Sequence, residues 1–255
     1  MQRAIGHFKR YADTASCVSQ IVDAAHDVIC MAGFDSLIYD FSPVATTPQG
    51  ELVIPSHFSH RNVPGEMRYL WCEEKYHQHD PVQQIALTRS APFVWSYRNK
   101  GQNNVLASHL DSEHVRVTEY LHDTGLTCGI TVPLHRTSGG FATFTAIQRN
   151  GAASFLNEAL HIMQQIGLIG QITHEATMEH FAPNEMKSSG PSLTSRQAEC
   201  LQYSAQGYTA EEIAKLLGRS VPTATLHLKS AVTRLGARNR AHAIALALHY
   251  KLIHL

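Results

Sequence analysis

The chain runs to 255 residues, 44% hydrophobic and 16% charged, which supplies core material for one large domain or two ordinary ones and excludes a disordered polymer. No stretch of about 18 apolar residues occurs, and Met1 to Arg10 mixes Arg3, His7, Lys9 and Arg10 with few apolar positions. Neither a membrane span nor a secretory leader is expected. The formal charge of +0 is unevenly spread: residues 190–255 carry 8 Lys and Arg against 3 Asp and Glu, and residues 1–189 carry 13 against 18. A basic C-terminal segment joined to an acidic remainder suggests a nucleic-acid-binding module attached to something that does not touch phosphate. The five cysteines (Cys17, Cys30, Cys72, Cys128 and Cys200) are scattered and never spaced C-x-x-C, which predicts reduced thiols in a cytoplasmic protein, without disulfides or a cysteine-ligated zinc.

From Asp13 to Ala32, Val18, Ile21, Val22, Ala25, Val28 and Ile29 fall at helical spacing with one buried stripe, and Gly33 stops the helix. Leu37 to Phe41, bounded by Ser42-Pro43, reads as a strand. Gly125 to Leu134 and Phe141 to Ile147 read as two more, paired as a hairpin through a turn at Ser138-Gly139-Gly140. Helical spacing returns from Ser154 to Met178, with Ser154 as the expected N-cap. Helices flanking a small antiparallel sheet make an α/β sensory sandwich over residues 1–178. Residues 179–192 hold two prolines, one glycine, three serines and no periodicity, which is a linker.

Residues 193–255 read as an all-α unit of four short helices, because capping chemistry marks where they start. Thr194 with Gln197, and Thr209 with Glu212, are capping boxes, and Ser220 followed by Pro222 is a third N-terminus. The expected helices are Thr194 to Gln206, Thr209 to Leu217, Ser220 to Leu235 and Arg240 to Leu252. Only Gly218-Arg219 separates the second from the third, the turn of a helix-turn-helix. The third helix buries Ala224, Leu228, Ala231 and Val232 and turns Thr223, Thr225, Lys229 and Arg234 outward, which suits a major groove. Lys215, Arg219 and Ser220 stand near its start, where backbone amides favour phosphate.

Leu193, Thr194, Arg196, Glu199, Leu201, Ala205, Gly207, Glu212, Ile213, Ala214, Leu217, Ser220, Thr223, His227, Leu235 and Ala241 stand at spacings that closely resemble the DNA-binding domain of LuxR-type transcription regulators. Gln197 replaces the usual Glu, and Ala224 the usual Val. The resemblance extends more weakly over residues 1–180, where His79-Asp80-Pro81-Val82, Trp95-Ser96 and Gly125-x-x-x-Gly129-Ile130-Thr131-x-Pro133 match the family's autoinducer-binding domain. It implies a small molecule held between sheet and helices, with Asp80 accepting from a ligand amide, Trp95 as an aromatic wall and Thr145 as a hydroxyl partner. The implied ligand set is Tyr39, Met67, Trp71, Asp80, Val82, Trp95, Thr143 and Thr145.

Two positions depart from the larger family. Thirteen and nine residues before Asp80 it usually has Trp and Tyr; here they are Met67 and Trp71. Met removes an indole donor for a lactone carbonyl, and Trp enlarges the wall while removing a phenol oxygen. The pair resembles the LuxR solos of plant-associated bacteria, which implies a plant-derived amide or ethanolamine derivative as signal. An ordinary acyl-homoserine-lactone quorum-sensing receptor is the alternative.

A metal at His77-Gln78-His79-Asp80 lacks a second paired site with zinc-like spacing. A hydrolase built from His109, Asp111, Ser112 and His114 lacks a nucleophile elbow, so an enzyme fused to a DNA-binding tail is the rival of a different class. The expectation is a ligand-responsive transcription factor, without catalytic activity, cofactor or metal. Its expected partners are double-stranded DNA at a pseudo-palindromic promoter site, a second copy of the chain and RNA polymerase. Pairing would use the apolar stripe of the last helix, Ala243, Ala247 and Tyr250 or Ile244 and Leu248.

Overall fold

Two helices open the chain in the computed structural model, which describes residues 1–98, 104–136, 140–151, 154–183, 185–188 and 190–255. They are α1 (Gln2–Ala12) and α2 (Val18–Cys30). The helix expected from Asp13 therefore starts later, where Ser16 hands its amide and hydroxyl to the Gln20 side chain. The first helix was not expected, because Ile5, Phe8 and Ala12, its buried stripe, stand among charged residues.

Next come β1 (Ser36–Ser42), β2 (His57–Arg61), α3 (Met67–Cys72), α4 (Tyr76–His79), α5 (Pro81–Thr88), β3 (Phe93–Ser96), α6 (Val115–Asp123), β4 (Cys128–His135), β5 (Phe141–Gln148) and α7 (Phe155–Met178). The five strands form one antiparallel sheet in the order β2-β1-β5-β4-β3. The three expected strands are β1, β4 and β5, and β4 pairs with β5 as a hairpin would. Ser138 and Gly139 of its turn lie outside the described residues. β2 reads HFSHR and β3 has four residues, so neither offered alternation to detect. Ser154 precedes α7 but makes no capping bond: its backbone is already helical (φ −74°, ψ −12°), which turns the hydroxyl away from the free amides.

Side chains alternate across the sheet, so each strand serves two faces. Leu37, Tyr39 and Phe41, with Ile130, Val132, Ala142 and Phe144, pack in one core with residues of α1, α2 and α7. The residues between them, among them Ile38, Asp40, Gly129, Thr131, Thr143 and Thr145, face the other way, toward α3, α5 and α6. Gly170 lets α7 lie close on the first face, since a Cβ there would meet Phe144 and Val132 at 3.2 Å.

The described residues form two compact units, Met1–Ala45 with Ile54–Met186, and Thr46–Val53 with Lys187–Leu255. The division at Met186 falls inside the segment expected as a linker. Thr46–Val53, expected in the first domain, groups with the second unit, where His249 Nε2 meets the Thr46 carbonyl at 2.7 Å. The second unit is built from α8 (Ser195–Ala205), α9 (Ala210–Leu216), α10 (Val221–Arg234) and α11 (Arg240–His249). Both capping boxes are present, Ser220 accepts from the Thr223 amide, and Asn239 supplies a fourth cap by accepting from the His242 amide at 2.9 Å. Gly218, at φ +60°, makes the left-handed turn between α9 and α10 that a side chain would resist.

α11 corrects the expected pairing stripe. Ala243 and Ala247 are fully buried in the unit's own core with Cys200, Leu201 and Leu228, so that stripe is taken. Ile244 and Leu248 are half-buried against the same core. Among the described residues, no helix is long and apolar enough to cross a membrane.

Candidate ligand pocket and nucleic-acid interface

On the second face of the sheet, α3, α5 and α6 close over β1, β3, β4 and β5 to leave a cavity of about 20 Å³. That is room for about one water molecule. Met67 and Trp71 from α3, Leu121 from α6, Trp95 from β3, and Ile38, Thr145 and Ile147 from the sheet form its walls, and Asp80, Val82 and Gln83 bring the start of α5 to it. Short helices fit the task, because each needs to deliver only one or two side chains. α3 carries Met67 and Trp71 four residues apart, hence on one face, and both are buried. Trp71 packs against Tyr76 and Tyr120, with ring centroids 6.0 and 6.4 Å away.

The polar groups are arranged by strand register. Thr131 and Thr145 are cross-strand partners whose hydroxyls lie 3.0 Å apart, and the Trp95 indole N–H donates to Thr131 at 2.9 Å. Trp95 stands opposite Gly129; a Cβ there would be 2.8 Å from the indole and 2.6 Å from the Ala146 carbonyl oxygen, so the ring lies flat on bare backbone. Asp80 caps α5: its Oδ1 accepts from the Val82 amide at 2.9 Å and from the Tyr97 hydroxyl at 3.1 Å. Burial nevertheless pushes its carboxyl up to about 7, against those two donors and the Gln83 backbone amide and with Asp40 adding to the rise.

Asp40 and Thr143 pair across β1 and β5, and Asp40 Oδ2 accepts from the Thr143 hydroxyl at 2.6 Å and from the Gln83 side-chain amide at 2.9 Å. Burial raises the Asp40 carboxyl to about 6. Thr143 thus serves the pocket through Gln83, while Met67, Trp71, Asp80, Val82, Trp95 and Thr145 line it as expected sites. Tyr39 does not. One residue from Asp40, it points to the opposite face, where its hydroxyl lies 2.9 Å from His174 Nδ1 and 2.8 Å from the Thr177 hydroxyl of α7. The supposed hydrolase cluster is a local cap in which Asp111 accepts from the Glu113 amide and His114 Nδ1 accepts from the Asp111 amide.

In the second unit α10 turns Thr225 and Lys229, one helical turn apart, to one side, with Lys229 exposed. Lys215, Arg219 and Ser220 are exposed around its start. Thr223 is half-buried, its hydroxyl 2.8 Å from that of Ser220. Arg234 stands apart: it closes a helix of 14 residues, about 20 Å from the start, and meets the Ser192 hydroxyl at 3.4 Å. Leu226, beside Thr225, is 62% exposed although apolar. Such a side chain on a groove-entering helix can contact a thymine methyl.

Two family profiles match these units. The first, described as an autoinducer binding domain, covers residues 18–177, and the second, described as bacterial regulatory proteins of the luxR family, covers 191–247. The chain belongs to the LuxR family. It is a ligand-binding LuxR-type transcriptional regulator with an α/β ligand-binding unit and a helical helix-turn-helix unit. It is 28% identical to the transcriptional activator protein BjaR1 of Bradyrhizobium diazoefficiens, over 87% of this chain and 84% of that protein. It is 29% identical to the HTH-type quorum sensing-dependent transcriptional regulator RpaR of Rhodopseudomonas palustris, over 92% and 89%. The crystal structure of Escherichia coli SdiA matches with a TM-score of 0.58 over 96% of this chain and 95% of that one, at 16% identity.

Sequence reasoning about this LuxR-family chain missed Asp40, Gln83, Tyr97, Thr131 and Leu226. Gln83 alone carried a signal, because it lies three residues after Asp80 and so on the same side of the first turn of α5. The others depend on pairing partners distant in the sequence, or, for Leu226, on where a neighbouring helix leaves a gap.

Proposed function

We propose that this regulator responds to a small plant-derived amide, of the ethanolamine-derivative class, rather than to an acyl-homoserine lactone. In this reading it acts as a homodimer on a pseudo-palindromic promoter site and there engages RNA polymerase. Thr225 and Lys229 read or grip the groove, and Lys215, Arg219, Ser220 and Thr223 hold phosphate around the helix start, with Arg234 an outlying contact. The residues bearing on the signal are Met67, Trp71, Asp80, Val82, Trp95 and Thr145, with Thr143 behind them.

The observation that carries the reading is Met67. It is fully buried in the pocket wall and offers a weakly accepting thioether where a lactone carbonyl needs a donor. The Trp95 indole N–H is already given to Thr131. Asp80 keeps what an amide needs: the Val82 and Gln83 backbone amides and the Tyr97 hydroxyl donate to it, and a carboxylate with about four lone-pair sites retains acceptor capacity beyond those three. A buried carbonyl left without its hydrogen bond loses about 1 to 3 kcal/mol, roughly a ten- to hundredfold loss of affinity.

Thermal-shift titration tests this, since a ligand that binds the folded state raises the melting temperature by mass action. N-octanoyl ethanolamine is expected to stabilise the protein at lower concentration than N-octanoyl homoserine lactone. Nanomolar binding of the lactone with weaker binding of the amide would make the chain a lactone receptor.

A further inference from the structure

Behind the pocket wall lies a second buried carboxylate, Asp40, and it decides how Gln83 is presented. Asp40 is 4% exposed, Thr143 0% and Gln83 6%. The Gln83 amide nitrogen donates to Asp40 Oδ2 at 2.9 Å and to the Thr143 hydroxyl at 3.0 Å, while that hydroxyl donates to the same Oδ2 at 2.6 Å. Both N–H groups of the side chain are thereby used. A carboxylate can only accept, so the amide cannot turn over without setting its oxygen against the Asp40 oxygen. Gln83 lines the cavity, and its carbonyl makes no hydrogen bond among the described residues.

The Trp95 indole, the Tyr97 hydroxyl and the Gln83 amide point their hydrogens into the protein, to Thr131, Asp80 and Asp40, and the Thr131–Thr145 hydroxyl pair keeps one proton beyond the bond it shares. Acceptors remain. Asp80 is the N-cap of α5 and Gln83 its third residue, so the two acceptors stand one above the other on one side of a helical turn, about 5 to 6 Å apart at their Cβ atoms. Burial raises the Asp40 carboxyl to about 6, against the Thr143 and Gln83 donors.

We infer that the Asp40–Gln83 pair forms a second acceptor site beside Asp80, selecting ligands with two hydrogen-bond donors a few bonds apart, such as an amide N–H and a hydroxyl. Asp40 is a positioning residue, acting through Gln83, and Gln83 is the specificity-determining contact. This rests on the amide reading above and narrows it, because a simple alkyl amide satisfies Asp80 and leaves the Gln83 carbonyl buried without a partner.

The test compares N-octanoyl ethanolamine with its O-methyl ether, which keeps the amide and the chain and loses only the second donor. N-octanoyl homoserine lactone is the third probe. Calorimetric titration of the full chain is expected to show the alcohol binding roughly tenfold tighter than the ether, the weight of one hydrogen bond of about 1.4 kcal/mol. In Gln83→Met, which keeps length and apolar bulk, the preference is expected to fall to within about twofold. In Asp40→Asn the Asn amide lets Gln83 take either orientation, with a similar loss of preference; should that variant fail to fold, Gln83→Met decides. Equal binding of alcohol and ether by the parent, or an undiminished preference in Gln83→Met, overturns the inference and leaves the amide reading standing. Tight lactone binding with neither amide bound sinks both.

Discussion

Replacing Asp80 by Asn should make the protein without added ligand more stable and at the same time unable to respond. The Asn oxygen can take over the Val82 amide and the Tyr97 hydroxyl, because both fall on Oδ1, while a third donor, the Gln83 backbone amide, loses the carboxylate. What is lost is a buried charge. The unfolded carboxyl titrates near 3.8 and the folded one near 7, so at pH 8 the folded state bears a penalty on the order of 4 kcal/mol. The weaker bonding of the Gln83 backbone amide returns about 1 to 3 kcal/mol of this. The net gain is on the order of 1 to 3 kcal/mol, or about 3 to 10 °C in melting temperature for a unit of this size.

The sign depends on pH. Below about pH 4 both states of the parent carry the proton; between about 4 and 7 only the folded state does, so the parent loses stability as pH climbs through that window. At pH 5 most of the penalty is gone and the advantage of Asn should vanish or reverse. Melting curves of both proteins at pH 5 and pH 8, with and without N-octanoyl ethanolamine, measure every part of this. A variant that melts no higher than the parent at pH 8, or by the same margin at both pH values, refutes the reasoning about buried charge. A variant that still responds to the amide refutes the role of Asp80 as its acceptor.

The same titration predicts that amide affinity weakens roughly five- to tenfold from pH 8 to pH 6, because only the ionised Asp80 is a pure acceptor; a flat profile by calorimetry counts against it. Gly129→Ala drives a methyl into the Trp95 ring and the Ala146 carbonyl and should destabilise the first unit by about 1 to 3 kcal/mol, read as a lower denaturation midpoint with DNA contacts of the second unit untouched. Arg219→Ala and Lys229→Ala should each weaken operator binding and make its dependence on salt shallower by about one counterion, measured by mobility shift at several ionic strengths; unchanged affinity and slope would remove both from the interface. With the amide bound, sedimentation should give a dimer at micromolar concentration, and a monomer bound to one half-site would contradict the proposed symmetry.

What could be read in the sequence was local chemistry. Thr194, Thr209 and Ser220 announce their helices because a cap and its amide lie within three residues, and no distant element can change that. Asp80 was legible only through the family resemblance that His79-Asp80-Pro81-Val82 carries. Tyr39 entered with the ligand set that the resemblance implies, and lies one residue off the pocket face of β1, where a shift of one residue exchanges the two sides of the sheet. Asp40, the right neighbour, was visible only once β1 had been set beside β5. Ala243 and Ala247 fail for a related reason: periodicity finds an apolar side of α11 without saying whether it meets its own core or another molecule. Leu226, an apolar side chain left in water, has no periodicity to give it away at all.

The pleat of β1 has one more consequence. Tyr39 hangs by two hydrogen bonds from α7, the last helix of the ligand-binding unit, and Asp40, across a single peptide bond, holds the Gln83 amide on the other side of the sheet. The strand is thus a two-pronged fork through the sheet: one peptide unit separates the residue that anchors α7 from the residue that anchors the Gln83 side chain.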